Sequence, residues 1–196
     1  MANTKHTGSV KKGSSEKEKG VVVEEQQRAP RNASEYSKQL REKQKVKQLY
    51  GSRETAFKRV FAEASRQKGA PGEALLVSLE RRIDNVIFRL KMAKTRKQAR
   101  QMVVHGHVLL NNKIVTSPSR LVSVDDVITL HQSTQGMAAF MDQVVNKLMK
   151  MAMKTPEWLE LDKATKTGRV LRLPVRTDIP ATPLISEQLI VGLYSR

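Results

Sequence analysis

Between Leu76 and Lys113 the hydrophobic period of the chain changes once, and that change constrains the fold more than any other feature. Leu76, Leu79, Ile83, Val86, Ile87 and Leu90 recur at the spacing of one helical face, with room for a turn near Ser78. Thr95 is a capping residue type and opens a short helix from Arg96 to His105, whose inner side is Ala99, Met102 and Val103. Gly106 stops it. Beyond Gly106 the pattern is extended: Val108-Leu109-Leu110, a turn at Asn111-Asn112, then Ile114-Val115 predict a hairpin, and Val127 to Leu130 predict another strand. Helices followed by short hairpin-linked strands predict an α+β fold.

The flanks are mostly helical. Ser34 is placed to cap a helix that runs to Tyr50 and stops at Gly51, and Ser52 to cap a second one reaching Lys68. In the second helix Ala56, Phe57, Val60, Phe61 and Ala64 form one stripe, ended by Gly69-Ala70-Pro71-Gly72. Met137 to Met153 predicts a Met-rich helix with Phe140, Met141, Val144, Val145, Leu148 and Met151 on its inner side. Trp158 to Leu161 and Val170 to Leu173, joined through Gly168, predict a two-stranded ribbon. A loop with Pro174, Pro180 and Pro183 leads to a final helix, Ser186 to Tyr194, presenting Leu189, Ile190 and Leu193. Residues 1–33 are rich in Lys, Glu, Ser and Gly and read as a flexible basic tail.

Charge then narrows the function. The 196 residues carry 36 Lys plus Arg against 19 Asp plus Glu, a formal net charge of +17. Such self-repulsion calls for a polyanionic partner, either nucleic acid or an anionic membrane. No apolar run approaches the ~18 residues of a membrane span. The N-terminal lysines are followed by nothing more apolar than Val21-Val22-Val23, so no secretory signal and no membrane association are expected. The basic helices also have defined apolar faces, which suit a globular core better than a lipid surface. Nucleic acid is left.

The absence of cysteine excludes disulfides and thiolate metal sites and is compatible with a reducing compartment. The four histidines lack carboxylate partners at zinc-enzyme spacing, so neither metal nor cofactor is expected. Aromatic residues at 4% argue against recognition by base stacking along a single strand. The expected target is folded RNA or duplex DNA, gripped by phosphate and shape.

Arg82 and Arg89 are expected on one flank of the first helix of the Leu76–Leu110 region, about two turns apart. Arg96 and Arg100 share a face of the next helix, and Lys97 and Gln101 form a neighbouring row. Guanidinium forks match phosphate oxygens, and a rigid array reads phosphate spacing. Only Glu80 and Asp84 lie nearby, too few to neutralise the cations. The plainer alternative is a set of solvated helix faces. Lys38, Arg41, Lys43, Lys45 and Lys47 make the first long helix basic as well. His105-Gly106-His107 reads first as a capped helix end and second as an RNA contact. Arg82-Ile83-Asp84 resembles the Arg-Leu-Asp around the catalytic aspartate of many pseudouridine synthases. Here it lies within an amphipathic helix, where Asp84 is expected to pair with Arg81 or another basic neighbour. No segment has room for the catalytic domain of those enzymes, so a non-catalytic chain is expected.

Leu79-Glu-Arg-Arg-Ile-Asp-Asn-Val-Ile-Phe-Arg-Leu-Lys-Met-Ala-Lys-Thr-Arg-Lys-Gln-Ala-Arg-Gln-Met-Val-Val-His-Gly-His107, continued through Val108 to Lys113, resembles the RNA-binding module of the small-subunit ribosomal protein S four family. That module also occurs in RNA-modifying enzymes and in free-standing proteins that recycle stalled ribosomes. The flanks favour the ribosomal family: Gln39-Leu-Arg-Glu-Lys-Gln-Lys-Val46, Phe57-Lys-Arg59, Trp158-Leu-Glu-Leu-Asp162 and Glu187-Gln-Leu-Ile-Val191 are similar to it, from about Ser34 to Arg196.

The resemblance implies a helical domain (residues 34–78, completed by 175–196) with an inserted RNA-binding module at 79–174. The module is two short helices packed on a small, mainly antiparallel sheet, together with the following helix and β-ribbon. It implies a structural constituent of the small ribosomal subunit, in cytoplasm or organelle, that binds a folded rRNA junction early in assembly. It further implies a place near the channel by which mRNA enters, a role in decoding accuracy, and contact with ribosomal protein S five through the C-terminal region. By motif position, Arg41, Lys43, Arg82, Arg89, Arg96, Arg100, Gln101, His105, His107 and Lys113 inherit the expected RNA contacts; Lys45, Lys47, Arg59, Lys94 and Lys97 complete the basic set. Two departures stand out. Residues 1–33 keep neither the cysteine zinc site nor the Pro-Gly-x-His-Gly stretch of some members, and Gly192 stands where an acidic residue is usual.

Overall fold

The Ser34 hydroxyl accepts the Ser37 amide at 3.3 Å, and α1 (Glu35–Tyr50) runs from that cap to Gly51, whose φ of 60° closes it in the left-handed conformation. The computed structural model describes residues 34–150, 155–179 and 185–195. The basic tail expected for residues 1–33 lies outside them.

Helix α2 (Glu54–Ser65) differs from expectation at both ends. Arg53 occupies the N-cap without a side-chain hydrogen bond, and the Ser52 hydroxyl is buried without a partner. The Glu54 carboxylate in the first turn faces the positive end of the helix dipole instead. Phe57, Phe61 and Ala64 are buried, whereas Ala56 and Val60 are half-buried. Pro71 does not merely end α2; it opens α3 (Pro71–Glu80) at a first-turn position, where its missing N–H leaves no hydrogen bond unmade.

The long apolar series is interrupted at Arg81-Arg82, not at Ser78. Arg82 is extended (φ −63°, ψ 136°) and forms an isolated bridge with Leu121. The amide of Ile83 donates to the Arg120 carbonyl at 2.8 Å, and Val122 donates to the Arg81 carbonyl at 2.9 Å. Backbone groups released by the helix break are therefore satisfied by a distant segment. Helix α4 (Ile83–Arg89) follows. Helix α5 (Arg96–Val104) is capped by Thr95, whose hydroxyl accepts from the Gln98 amide at 3.1 Å, and it closes through His105 and Gly106 at φ 71°.

Strands β1 (Val108–Leu110) and β2 (Lys113–Ile114) form the expected hairpin. Asn111 and Asn112 have φ of 50° and 63°, the positive pair that matches a tight turn to strand twist. With β3 (Val127–Leu130), β4 (Leu159–Asp162) and β5 (Thr167–Val170) they make one antiparallel sheet of order β2-β1-β3-β5-β4. The ribbon near Trp158 is thus part of the main sheet, and its second strand stops at Val170, leaving Leu171 and Leu173 exposed. Gly168 is packed so tightly on the α4 terminus that an added Cβ would lie 2.2 Å from Leu90 Cδ1.

The Met-rich segment is more broken than expected. After α6 (Gln132–Gln135), it comprises α7 (Ala138–Phe140), a π-helical stretch (Met141–Asn146) and α8 (Lys147–Lys150). Met141, Val145 and Met149 are buried, while Phe140, Val144 and Leu148 are half-buried. The expected continuation through Met151 to Met153 lies outside the described residues, as do Pro180 and Pro183. Helix α9 (Glu187–Tyr194) buries Ile190.

Two hydrophobic clusters result. One joins α1, α2 and α3 to Ile179, Ile185 and Ile190; the other joins α4, α5, the sheet, Met141, Val145 and Trp158. The class is α+β, as the change of period predicts.

Candidate nucleic-acid interface

The cations of the Leu79–Gly106 region divide into two populations. Glu80, almost fully buried, gathers the first. Its carboxylate accepts from Tyr50 Oη at 2.7 Å, Asn85 Nδ2 at 2.7 Å, and both Nη2 (2.6 Å) and Nε (3.1 Å) of Arg89. Arg96 extends the network, donating to Asn85 Oδ1 at 2.7 Å while its guanidinium lies 4.5 Å from the Phe88 ring centroid and 5.2 Å from that of Tyr50. Burial, and then the Glu80 charge, pushes the Tyr50 phenol well above its ordinary pKa. Burial pulls Arg89 down, but its hydrogen bonds to Glu80 and the carboxylate charge outweigh it, so Arg89 is raised overall. Arg96, with no carboxylate of its own, is lowered by burial and by the Arg89 charge.

Arg82 is only 3% exposed and grips Asp84 with a fork, Nε to Oδ1 at 3.0 Å and Nη2 to Oδ2 at 2.6 Å. The expectation that Arg82 and Arg89 share one open flank is therefore corrected: the helix break turns Arg82 onto Asp84, and Arg89 closes on Glu80. Two carboxylates suffice to engage several cations, because each carboxylate accepts several hydrogen bonds. Arg81 does not take Asp84; it donates to the Val122 carbonyl at 3.0 Å.

The α1 lysines repeat the theme. Lys43 and Lys47 both close on Glu54, at 2.9 and 2.6 Å. Their hydrogen bonds, Lys47 first, hold the Glu54 carboxyl at about 2. Lys45 pairs with Glu42 at 3.2 Å. Arg41 and Arg59 are exposed, with no partner among the described residues.

The second population faces solvent on and around α5. Lys94, Lys97, Gln101 and His105 are exposed there, and Lys113 is exposed on β2. The Lys97 ammonium and the Gln101 amide have no protein partner among the described residues. Arg100 is intermediate: Nη1 sits 3.3 Å from Asp84 Oδ2, yet the side chain is 43% exposed. His107 is half-buried, its ring centroid 6.0 Å from that of His105. The sequence reading missed Tyr50, Glu80 and Asn85 as organisers of this surface. Asn85, a polar residue inside an apolar series, was the visible signal for them. It also missed Arg120, exposed beside Lys113 in the groove after β2.

Among the described residues no helix is long and apolar enough to cross a membrane. Comparison with known proteins gives two adjoining matches. Residues 3–80 match the ribosomal protein S4/S9 N-terminal domain, and residues 81–128 match the S4 domain. The junction of the two falls where α3 ends, and the first match reaches well upstream of Ser34, where the resemblance read from sequence begins. Small ribosomal subunit protein uS4 of Salinibacter ruber is 43% identical over 166 residues, covering 85% of this chain and 80% of that protein. Its counterpart in Trichlorobacter lovleyi is 49% identical over 166 residues, covering 83% and 76%, and that of Heliobacterium modesticaldum is 49% identical over 164 residues, with the same coverage. With identity above 40% across most of both chains, this protein belongs to the small ribosomal subunit protein uS4 family.

Proposed function

We propose that this chain is a structural, non-catalytic constituent of the small ribosomal subunit that holds a folded rRNA by the solvent face of α5 and the hairpin beside it. One observation carries the reading: Lys97 and Gln101 stand open to solvent on one short helix, with Arg100 partly exposed between them, whereas the cations behind them are fixed by Glu80 and Asp84. The buried network acts as a frame and the exposed row as the grip. Lys94, His105 and Lys113 extend that row, and Arg41 and Arg59 supply a second basic region on α1 and α2. The remaining basic residues named from sequence, Lys43, Lys45, Lys47, Arg82, Arg89 and Arg96, serve the interface mainly by shaping it.

We divide the chain into a helical domain of residues 34–78 with 175–196, and a module of residues 79–174; two separate hydrophobic clusters support this division, except that Leu79 packs with the helical domain. A groove of about 760 Å³ lined by Pro71, Gly72, Gln188, Val191 and Gly192 is the surface we assign to ribosomal protein S five. The place near the mRNA channel and the contribution to decoding accuracy rest on family resemblance.

Filter binding of the purified chain to small-subunit rRNA tests the core of the reading. If some 6–10 phosphates are engaged, affinity drops by ~10³–10⁵ between 50 and 200 mM salt. Failure to bind rRNA at low salt overturns it.

A further inference from the structure

A cavity of about 180 Å³ opens between the C-terminal half of α5 and the turn that joins α6 to α7. Gln98, Gln101 and His105 form its α5 side, and Met137 and Phe140 form the opposite wall. Two of the lining residues carry buried polar atoms with no hydrogen-bond partner, Thr134 Oγ1 and His107 Nδ1. Native folds rarely leave such atoms unmet. The π-helical stretch begins directly after Phe140, and isolated π-turns inside helices are frequent at functional sites. Met137 is 48% exposed at the rim, an apolar side chain on a basic surface.

The amides are poised for recognition. Gln98 Oε1 is held by the Lys94 amide at 2.7 Å, leaving its NH₂ without a partner among the described residues. Gln101 is exposed, and neither end of its amide has a partner among those residues. Gln101 belongs at once to this rim and to the cationic row of Lys97 and Arg100, so a backbone held by the row passes the mouth of the cavity.

We infer that the cavity receives one unpaired RNA base, whose Watson–Crick edge is read by Gln101. The inference rests on the proposed rRNA binding and adds a base-specific contact to it. Sequence-specific RNA recognition targets splayed-out bases, with aromatic faces beneath them and hydrogen bonds at their edges. Phe140 and His105 supply flat faces, and Met102 and Met137 supply polarizable apolar surface. A carboxamide accepts from an exocyclic amine while donating to a neighbouring ring nitrogen. Turned over, the same amide donates to a carbonyl and accepts from a ring N–H, so the unheld Gln101 amide suits the Watson–Crick edge of an adenine or cytosine and that of a guanine or uracil alike. Thr134 and His107 offer further polar atoms to the base or to a water it traps.

Dimethyl sulfate and carbodiimide probing together test the inference, because the first reagent attacks that edge of unpaired adenine and cytosine and the second that of unpaired uracil and guanine. The complex of the full chain with small-subunit rRNA is probed in parallel with hydroxyl-radical cleavage of the backbone. At least one base reactive in free RNA becomes protected with the wild type. That protection disappears with Gln101→Ala, while the backbone footprint persists. Affinity falls about tenfold, the range of a bidentate amide–base pairing. If no base is protected while the backbone footprint is present, or if Gln101→Ala protects as the wild type does, the base site is wrong and the proposed function stands. If the backbone footprint is itself absent, the proposed function fails first.

Discussion

The seam around Glu80 and the outer face of α5 use the same residue types to opposite ends. At the seam, buried Arg82 and half-buried Arg89 and Arg96 are engaged by Asp84, Glu80 and Asn85. One helical turn away, Lys97 and Gln101 stand in solvent with no protein partner among the described residues. The difference teaches that a cation count measures attraction to a polyanion only after internal pairs are removed. Buried cations orient; exposed ones attract.

Removing the anchor of the seam has the largest expected effect. Glu80→Ala strands Arg89 and Tyr50 in a buried site and is expected to destabilise the fold by about 3–5 kcal/mol, measured by urea unfolding. A loss below about 1 kcal/mol would show that Glu80 does not organise the seam. Next comes Arg96→Ala, which leaves Asn85 Oδ1 without its donor and removes the stack on Phe88; about 1–3 kcal/mol is expected. The same experiment on Lys97→Ala should move stability by no more than about 0.5 kcal/mol. Equal losses for the two would erase the distinction between frame and grip.

In binding, the order inverts. Lys97→Ala combined with Arg100→Ala should leave the urea midpoint nearly unchanged. The double variant should also flatten the salt dependence of rRNA binding by about 2 in slope, roughly 1 for each phosphate that is no longer engaged. An unchanged slope would move the grip away from α5. The smallest effect concerns Glu54. Its carboxyl is held at about 2 by Lys47 and Lys43, so its contribution to stability is fully present above the ordinary carboxylate range and disappears as pH falls through that value. With its side chain 39% exposed, that contribution is under about 1 kcal/mol. Glu54→Gln should flatten the acid limb of the stability profile and, by freeing two lysines, slightly tighten rRNA binding at low salt. Weaker binding would place the pairing itself within the interface.

What was legible in the sequence was local. Ser34 and Thr95 announce helix starts, Gly51 and Gly106 helix ends, and Asn111-Asn112 a tight turn, because each acts through its own backbone or that of near neighbours. The α3–α4 break was displaced because no glycine or proline marks Arg81-Arg82; the cause is the pairing with Leu121, far along the chain. Ser52 looked like a cap by type, but Arg53 occupies the position. The ion pairs were hidden for the same reason: Lys43 and Glu54 meet only because the chain reverses at Gly51. Exposed and internally engaged arginines share one hydropathy, so the α5 row could be named from sequence but not separated from the seam behind it.

Gly168 carries a consequence of another kind. The strand crosses Leu90 where even a methyl group would collide, so the spacing between sheet and α4 is set by matter that is missing. Any larger side chain there acts as a wedge between β5 and the end of α4. The separation of the two layers is thereby written at a residue that has no side chain to pack with.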